Sequence, residues 1–395
     1  MTPPPADTDS PRRDLLPPGL RDLLPPDAAH EAETVEALVQ CCTGHGYERV
    51  KPPLIEFEES LFSGPGSAMN DSTFRLMDPV SRRMMGMRAD MTVQVARIAT
   101  TRLAHVPRPL RLCYAGEVLR VTPDVMTAER ELVQVGAELV GPDTATADVE
   151  VILLAVEGLR SIGVQRISVD ITAPELAPGL MEEIGIDPAS RRALRAALDR
   201  KDAVAVARHA GDAAAVFTQL TGAADACEPG LARLATIDLP GALAPLVARL
   251  RDVATRVSAE EPGVTITIDP VENRGFEYYS GIGFSLFAPG ARSELGRGGR
   301  YRVDGDERSC GFTLYMEAVL RAIAGPTRPD RLYVPQSATR SQARQARADG
   351  WITCTELLPA GDTAARAAAL GCTHVLQAGR PVALASLAHP AGNAK

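Results

Sequence analysis

A chain of 395 residues with 45% apolar and 23% charged side chains has material for two or three hydrophobic cores, which excludes a disordered or fibrous protein. No apolar run reaches the ~20 residues that cross a bilayer, and the opening MTPPPADTDSPRRD lacks a secretory hydrophobic stretch, so a cytoplasmic location without membrane contact is expected. The net charge of −8 weighs against a nucleic-acid binder, whose affinity rests on lysine and arginine meeting phosphates; the mildly basic stretch from Arg331 onward, seven such residues against three acids, leaves RNA open on charge alone.

Residues 1–14, proline-rich and polar, are expected to form a disordered leader. Asp27 is placed to cap a helix over AAHEAETVEALVQCC, whose Val35, Leu38, Val39 and Cys42 share one face, and Gly44-His45-Gly46 ends it. The segment Tyr47 to Phe57 is extended, with Pro52-Pro53 suiting an edge or interface strand. Further strands are predicted at 72–76, 84–87, 110–121, 132–140, 264–269, 276–287 and 309–313, and helices at 92–103, 143–162 and 314–324. Turn-like connections between several strands favour a large antiparallel sheet over a doubly wound parallel one. The fold class is therefore α+β.

Between about 172 and 262 the chain becomes rich in alanine, leucine and arginine at helical spacing, which predicts an all-helical insertion within a core spanning 15–326. Past Gly325-Pro326 the order strand, helix, strand, helix, strand predicts a small α/β domain over 327–395. Seven cysteines without C-x-x-C pairs and six histidines without an H-E-x-x-H cluster point to reduced thiols and to no metal site or other cofactor.

Several residues could serve a small zwitterionic ligand, which needs a carboxylate for its ammonium and an arginine for its carboxylate. Asp90 and Thr92 stand at a predicted strand-to-helix turn, RADMT. Gln134 and Glu138, four apart on a predicted strand, face the same way. The run NRGFEYYSG supplies Arg274, Tyr278 and Tyr279. Each alone is a weak signal. Gly296-Arg297-Gly298-Gly299, without a following helix, reads as a turn lining the same site rather than a phosphate loop.

The order of these pieces is the strong signal. PPGLRDLLPP, GYERVKPPLIE, MRADMT, YAGEVLR, ERELVQVGAELVG, RGFEYYSG and GGRY follow one another as in histidyl-tRNA synthetase and span roughly Leu16 to Leu320. The chain resembles that family, and the resemblance implies a class II aminoacyl-tRNA synthetase core: a six- or seven-stranded antiparallel sheet flanked by helices. It implies histidine contacts at Asp90, Thr92, Gln134, Glu138, Arg274, Tyr278 and Tyr279, with Arg120 as the arginine of the second motif and Tyr301 as a further wall. It also implies a homodimer interface through the first motif around Pro53.

Departures from the family lie on the ATP side. Thr122 stands where the second motif has a glutamate, the following VTPDVMTAE has no lysine or arginine, Tyr315 replaces a small glycine, and Ala318 replaces the arginine for the γ-phosphate. Loss of one electrostatic donor costs ~10²–10³ in rate, so adenylation is expected to be lost. This combination resembles the synthetase-like regulatory subunits of ATP phosphoribosyltransferase. That resemblance implies a non-catalytic subunit of histidine biosynthesis with L-histidine as effector and a short-form catalytic subunit as partner, four of each in a hetero-octamer; tRNA is not expected as a partner. A divergent histidyl-tRNA synthetase, or a histidine-binding or adenylate-forming paralogue with another partner, remains open at this point.

Overall fold

The computed structural model describes residues 16–62, 64–123, 128–273, 278–303, 307–359 and 361–387, so the expected leader at 1–14 lies outside the described residues. The chain divides into two units, 1–325 and 326–395. In the first, the strands in chain order are β1 (Glu48–Arg49), β2 (Ile55–Phe57), β3 (Arg75–Met77), β4 (Met84–Met87), β5 (Leu110–Leu119), β6 (Glu131–Val140), β7 (Ser168–Thr172), β8 (Asp225–Ala226), β9 (Thr265–Asp269), β10 (Tyr279–Phe287), β11 (Gly296–Arg302) and β12 (Arg308–Tyr315).

Nine of them form one sheet in the order β1-β5-β6-β12-β11-β10-β7-β9-β8, while β2, β4 and β3 form a small antiparallel sheet. The six consecutive strands from β5 to β7 in this order are antiparallel to one another, as expected. The sheet is larger and more mixed than the sequence suggests, because β1 joins β5 and β9 joins β7 in parallel. Between β7 and β9 the chain leaves the sheet for helices Leu176–Glu183, Pro188–Asp199, Ala203–Ala210, Ala214–Gly222, Cys227–Leu234 and Ala244–Glu260, with the two-residue strand β8 among them. A parallel pair needs such a crossover, since a hairpin cannot reverse the direction twice.

Alternation along β5 and β6 sorts the core. Leu112, Tyr114 and Val118 of β5 with Leu132 and Val140 of β6 meet Met91, which precedes the helix Thr92–Thr101, and Val95 and Ala99 within it. The alternate residues Cys113, Val135, Ala137 and Leu139 belong to the larger core, with helices Asp27–Gly44 and Ala145–Ser161. The latter helix buries Val149, Ile152, Leu154, Ala155 and Val156 around its circumference, which accounts for its nearly continuous apolar sequence.

Three local expectations are corrected. Asp27 does not cap the first helix; Pro26 holds that position and Asp27 is the first helical residue, where a carboxylate still favours the positive end of the helix dipole. The segment 47–57 is two short strands in two sheets, since two successive prolines offer no N–H to continue a ladder. Residues 296–299 are not a turn. They open β11, hydrogen-bonded between β10 and β12 in the middle of the large sheet.

The second unit has β13 (Arg331–Val334), β14 (Ile352–Thr355), β15 (His374–Gln377) and β16 (Arg380–Ala383) in the order β14-β13-β15-β16. The first three are parallel and β16 returns antiparallel. Helices Arg340–Ala348 and Thr363–Ala369 connect them, the first capped by Thr339 and Gln342 in a reciprocal capping box. Among the described residues no helix is long and apolar enough to cross a membrane.

Candidate functional site

The sheet face beneath the helix Thr92–Thr101 carries the site. Cross-strand register places Glu138 of β6 opposite Gly311 of β12, Gly311 opposite Gly299 of β11, and Gly299 opposite Gly283 of β10. A row of three glycines thus continues across the sheet from Glu138, leaving that line without side chains. On one side of the row stand Tyr301 and Tyr279, paired across β11 and β10; on the other stand Thr313, Arg297 and Ser285. Two of the glycines are required by space: a Cβ on Gly311 would lie 1.9 Å from Glu138 Oε2, and one on Gly299 would lie 2.7 Å from the Tyr279 ring. Gly311→Ala is therefore expected to destabilise the protein by about 1–3 kcal/mol, the usual cost of overpacking, and to displace the Glu138 carboxylate; urea unfolding would measure the first effect.

A hydrogen-bonded chain fixes the polar groups. Asp90 Oδ1 accepts from the Thr92 amide at 2.8 Å, and its Oδ2 accepts from Gln134 Nε2 at 2.9 Å. Gln134 Oε1 in turn accepts from the Met91 amide at 3.0 Å, which pins the strand-to-helix turn to β6. Thr92 Oγ1 lies 3.2 Å from the Tyr114 hydroxyl, which is 2.8 Å from Thr313 Oγ1 and donates to Glu138 Oε1 at 3.4 Å. The Tyr301 hydroxyl donates to Glu138 Oε2 at 2.9 Å. Tyr278 stacks on Tyr279 with ring centres 4.3 Å apart, and Tyr301 meets Tyr278 edge-on at 6.0 Å.

The electrostatics follow from burial. Glu138 is 1% exposed. Desolvation pushes its carboxyl up to about 8, against the Tyr301 hydrogen bond, and the Asp90 carboxylate adds to the rise. Burial, followed by the Glu138 charge, holds the Tyr114 and Tyr301 phenols well above their usual range, so both remain donors. Near neutral pH the site offers a carboxyl at Glu138 that can donate as well as accept.

Of the residues singled out from the sequence, Asp90, Thr92, Gln134 and Glu138 are joined by these bonds, with Tyr278 and Tyr279 stacked beside Tyr301. Arg274 lies outside the described residues, as do 124–127 of the loop after Arg120. Arg120 is half-buried, its guanidinium 5.9 Å from the centre of the Tyr315 ring. Thr122 is exposed, and Ala318 is 3% exposed with its methyl group in the large core.

Sequence reasoning passed over Tyr114 and Thr313, and placed Arg297 beside the site only as part of a turn. Arg297 is held by Glu294, Nε to Oε1 at 2.7 Å. The signal for Tyr114 was present: Gly136 lies between Gln134 and Glu138 on their face and opposite Tyr114, and a Cβ there would fall 2.4 Å from the Tyr114 hydroxyl. Glu317 was also missed. Its Oε1 accepts from the Val133 amide at 2.9 Å, and burial lifts its carboxyl to about 7.

The large sheet flanked by helices is that of a class II aminoacyl-tRNA synthetase body, and the histidyl-tRNA synthetase family profile matches residues 19–319. A chain of 21% identity from Bacillus halodurans, described as an ATP phosphoribosyltransferase regulatory subunit/histidyl-tRNA synthetase, superposes with a TM-score of 0.80 over 91% of this chain and 97% of that one. The Thermotoga maritima ATP phosphoribosyl transferase (HisG:HisZ) complex contains a chain that is 18% identical, with a TM-score of 0.57 over 72% of this chain and 97% of its own. In sequence, the ATP phosphoribosyltransferase regulatory subunit of Rhodospirillum centenum is 49% identical across 95% of this chain and 97% of the relative. The chain belongs to the family of ATP phosphoribosyltransferase regulatory subunits.

Proposed function

We propose that this chain is the regulatory, non-catalytic partner of a short-form ATP phosphoribosyltransferase catalytic subunit and that it binds L-histidine over the glycine row. One contrast carries the reading: the amino-acid side is built, with Glu138 bonded to Tyr301 and Gln134 to Asp90, while Ala318 lies in the core and Tyr315 stands beside Arg120 where a nucleotide would enter. Polyphosphate transfer depends on fixed positive charge at the phosphates. Bound histidine would place its ammonium at Asp90 and Gln134 and its imidazole against Glu138 and the tyrosines. Its carboxylate would meet Arg274, with Arg120 at the rim.

Assembly is the second half of the proposal. The Thermotoga maritima complex supports a catalytic partner, and four copies of each chain, paired through the segment around Pro53, is the arrangement we infer. The full chain, mixed with the catalytic subunit of its own organism, should give a species much larger than either component by light scattering and raise phosphoribosyl transfer from PRPP to ATP. Alone, it should catalyse no histidine-dependent ATP–pyrophosphate exchange and no tRNA charging. Two non-interacting proteins with an unchanged rate would overturn the partner assignment; robust exchange would instead mark a divergent synthetase.

A further inference from the structure

We propose that Cys41, His45 and Glu157 form a binding site for a zinc-class divalent ion, on the opposite face of the large sheet from the glycine row. The thiol sulfur, a ring nitrogen and a carboxylate oxygen all lie within 4.8 Å of one another, and His45 Nε2 is 3.0 Å from Glu157 Oε2. Bonds of ~2.0–2.3 Å around a four-coordinate zinc set ligand atoms roughly 3.3–3.8 Å apart. Rotation of exposed side chains closes that difference without moving a helix.

The scaffold around the three donors is already set. Cys41 and His45 are four residues apart at the C-terminal end of the helix Asp27–Gly44, so they project from one side, a turn apart. Gly46 then turns the chain with φ of +81°, and Tyr47 enters the core at 1% exposure, which holds His45 against the neighbouring helix. That neighbour, Ala145–Ser161, presents Glu150 and Glu157 two turns apart on one side. The Tyr47 hydroxyl donates to Glu150 Oε1 at 3.1 Å, and Arg111 grips both Glu150 oxygens at 2.9 and 3.0 Å. These bonds fix the register of the two helices beside the three donors.

Donor chemistry selects the ion. Magnesium and calcium take oxygen sets, whereas a thiolate with an imidazole and a carboxylate suits zinc and its softer neighbours. Binding releases the Cys41 proton. Three protein donors leave one position for water, as in open rather than closed zinc sites. Cys41 is half-buried while His45 and Glu157 are exposed, so an ion can enter from solvent.

The test uses the full, tag-free chain after chelator treatment. Calorimetry with zinc should give one ion per chain, and cobalt(II) as a probe should produce the near-ultraviolet charge-transfer band of a thiolate ligand. Cys41→Ser should abolish the band. His45→Ala, at an exposed position that leaves the core intact, should weaken zinc binding by more than the ~10–100-fold that loss of an outer-shell partner costs. Cys227→Ser, at another half-buried cysteine, should change neither. No uptake by the parent chain, or a band and affinity that survive both Cys41→Ser and His45→Ala, would overturn the site.

Discussion

Asp148→Ala is expected to lower the unfolding free energy by about 3–5 kcal/mol, the range for removing one partner of a buried ion pair. The cause is the buried Arg300 charge, which would be left with the more exposed Asp143 at 3.5 Å. Arg300, whose side chain is 1% exposed, donates to Asp148 Oδ1 from Nε at 3.0 Å and from Nη2 at 2.7 Å, and Nη1 donates to the Pro142 carbonyl at 2.8 Å. Asp148 Oδ2 receives Arg249 Nε at 2.7 Å. Burial lifts the Asp148 carboxyl above its ordinary range even though both arginines pull it down, so desolvation weighs heavily in this cluster. Adding Arg300→Met removes the under-compensated guanidinium and should return about 1–3 kcal/mol of the loss, a coupling of the size expected for contacting residues. Urea unfolding followed by far-ultraviolet circular dichroism reads both variants. A loss below about 1 kcal/mol for Asp148→Ala would mean that water reaches Arg300 and the pair is not load-carrying. The consequence reaches the pocket, because Arg300 anchors β11 to the helix Ala145–Ser161 and the next residue, Tyr301, supports Glu138.

Histidine affinity is expected to pass through a maximum between pH ~6.5, the ordinary imidazole value, and about 8, where burial places the Glu138 carboxyl. One proton shared between the imidazole and Glu138 suits the bound state. Above about 8 the free carboxyl has lost its proton and binding must take one up, so affinity falls as pH rises. Below ~6.5 both free groups are protonated and binding must release one, so affinity falls as pH drops. Glu138→Gln should weaken binding at least about tenfold, equivalent to ~1.4 kcal/mol, and flatten the alkaline limb. Calorimetry across this range is the check. The variant's melting temperature must stay close to the parent's for the loss to be assigned to ligand contact. An alkaline limb that persists in Glu138→Gln would place the imidazole elsewhere.

Much of this protein is written locally. The pattern from Leu110 to Val140, with its period of two, predicts two strands and places Gln134 and Glu138 on one face. The ordered motifs from Leu16 to Leu320 announce a synthetase-type body. Met84–Met87 and the helix Ala145–Ser161 lie close to where periodicity puts them. Short-range information was less useful for β11. Three glycines among its first four residues read as a turn by propensity, and only hydrogen bonds from β10 and β12 on both sides make it a central strand.

The sequence by itself determined the fold class, the course of the long amphipathic elements and the placing of Gln134 and Glu138 on one strand face, because those follow from side-chain period and motif order. The tertiary structure alone decided three things. It set the parallel joins of β1 to β5 and β7 to β9, the glycine row that aligns Glu138 with Gly311, Gly299 and Gly283, and the meeting of Cys41 and His45 with Glu157 from 112 residues along the chain. Each depends on pairing between distant segments. Such pairing is selected by the packing of whole faces against one another, and no window of neighbouring residues contains it.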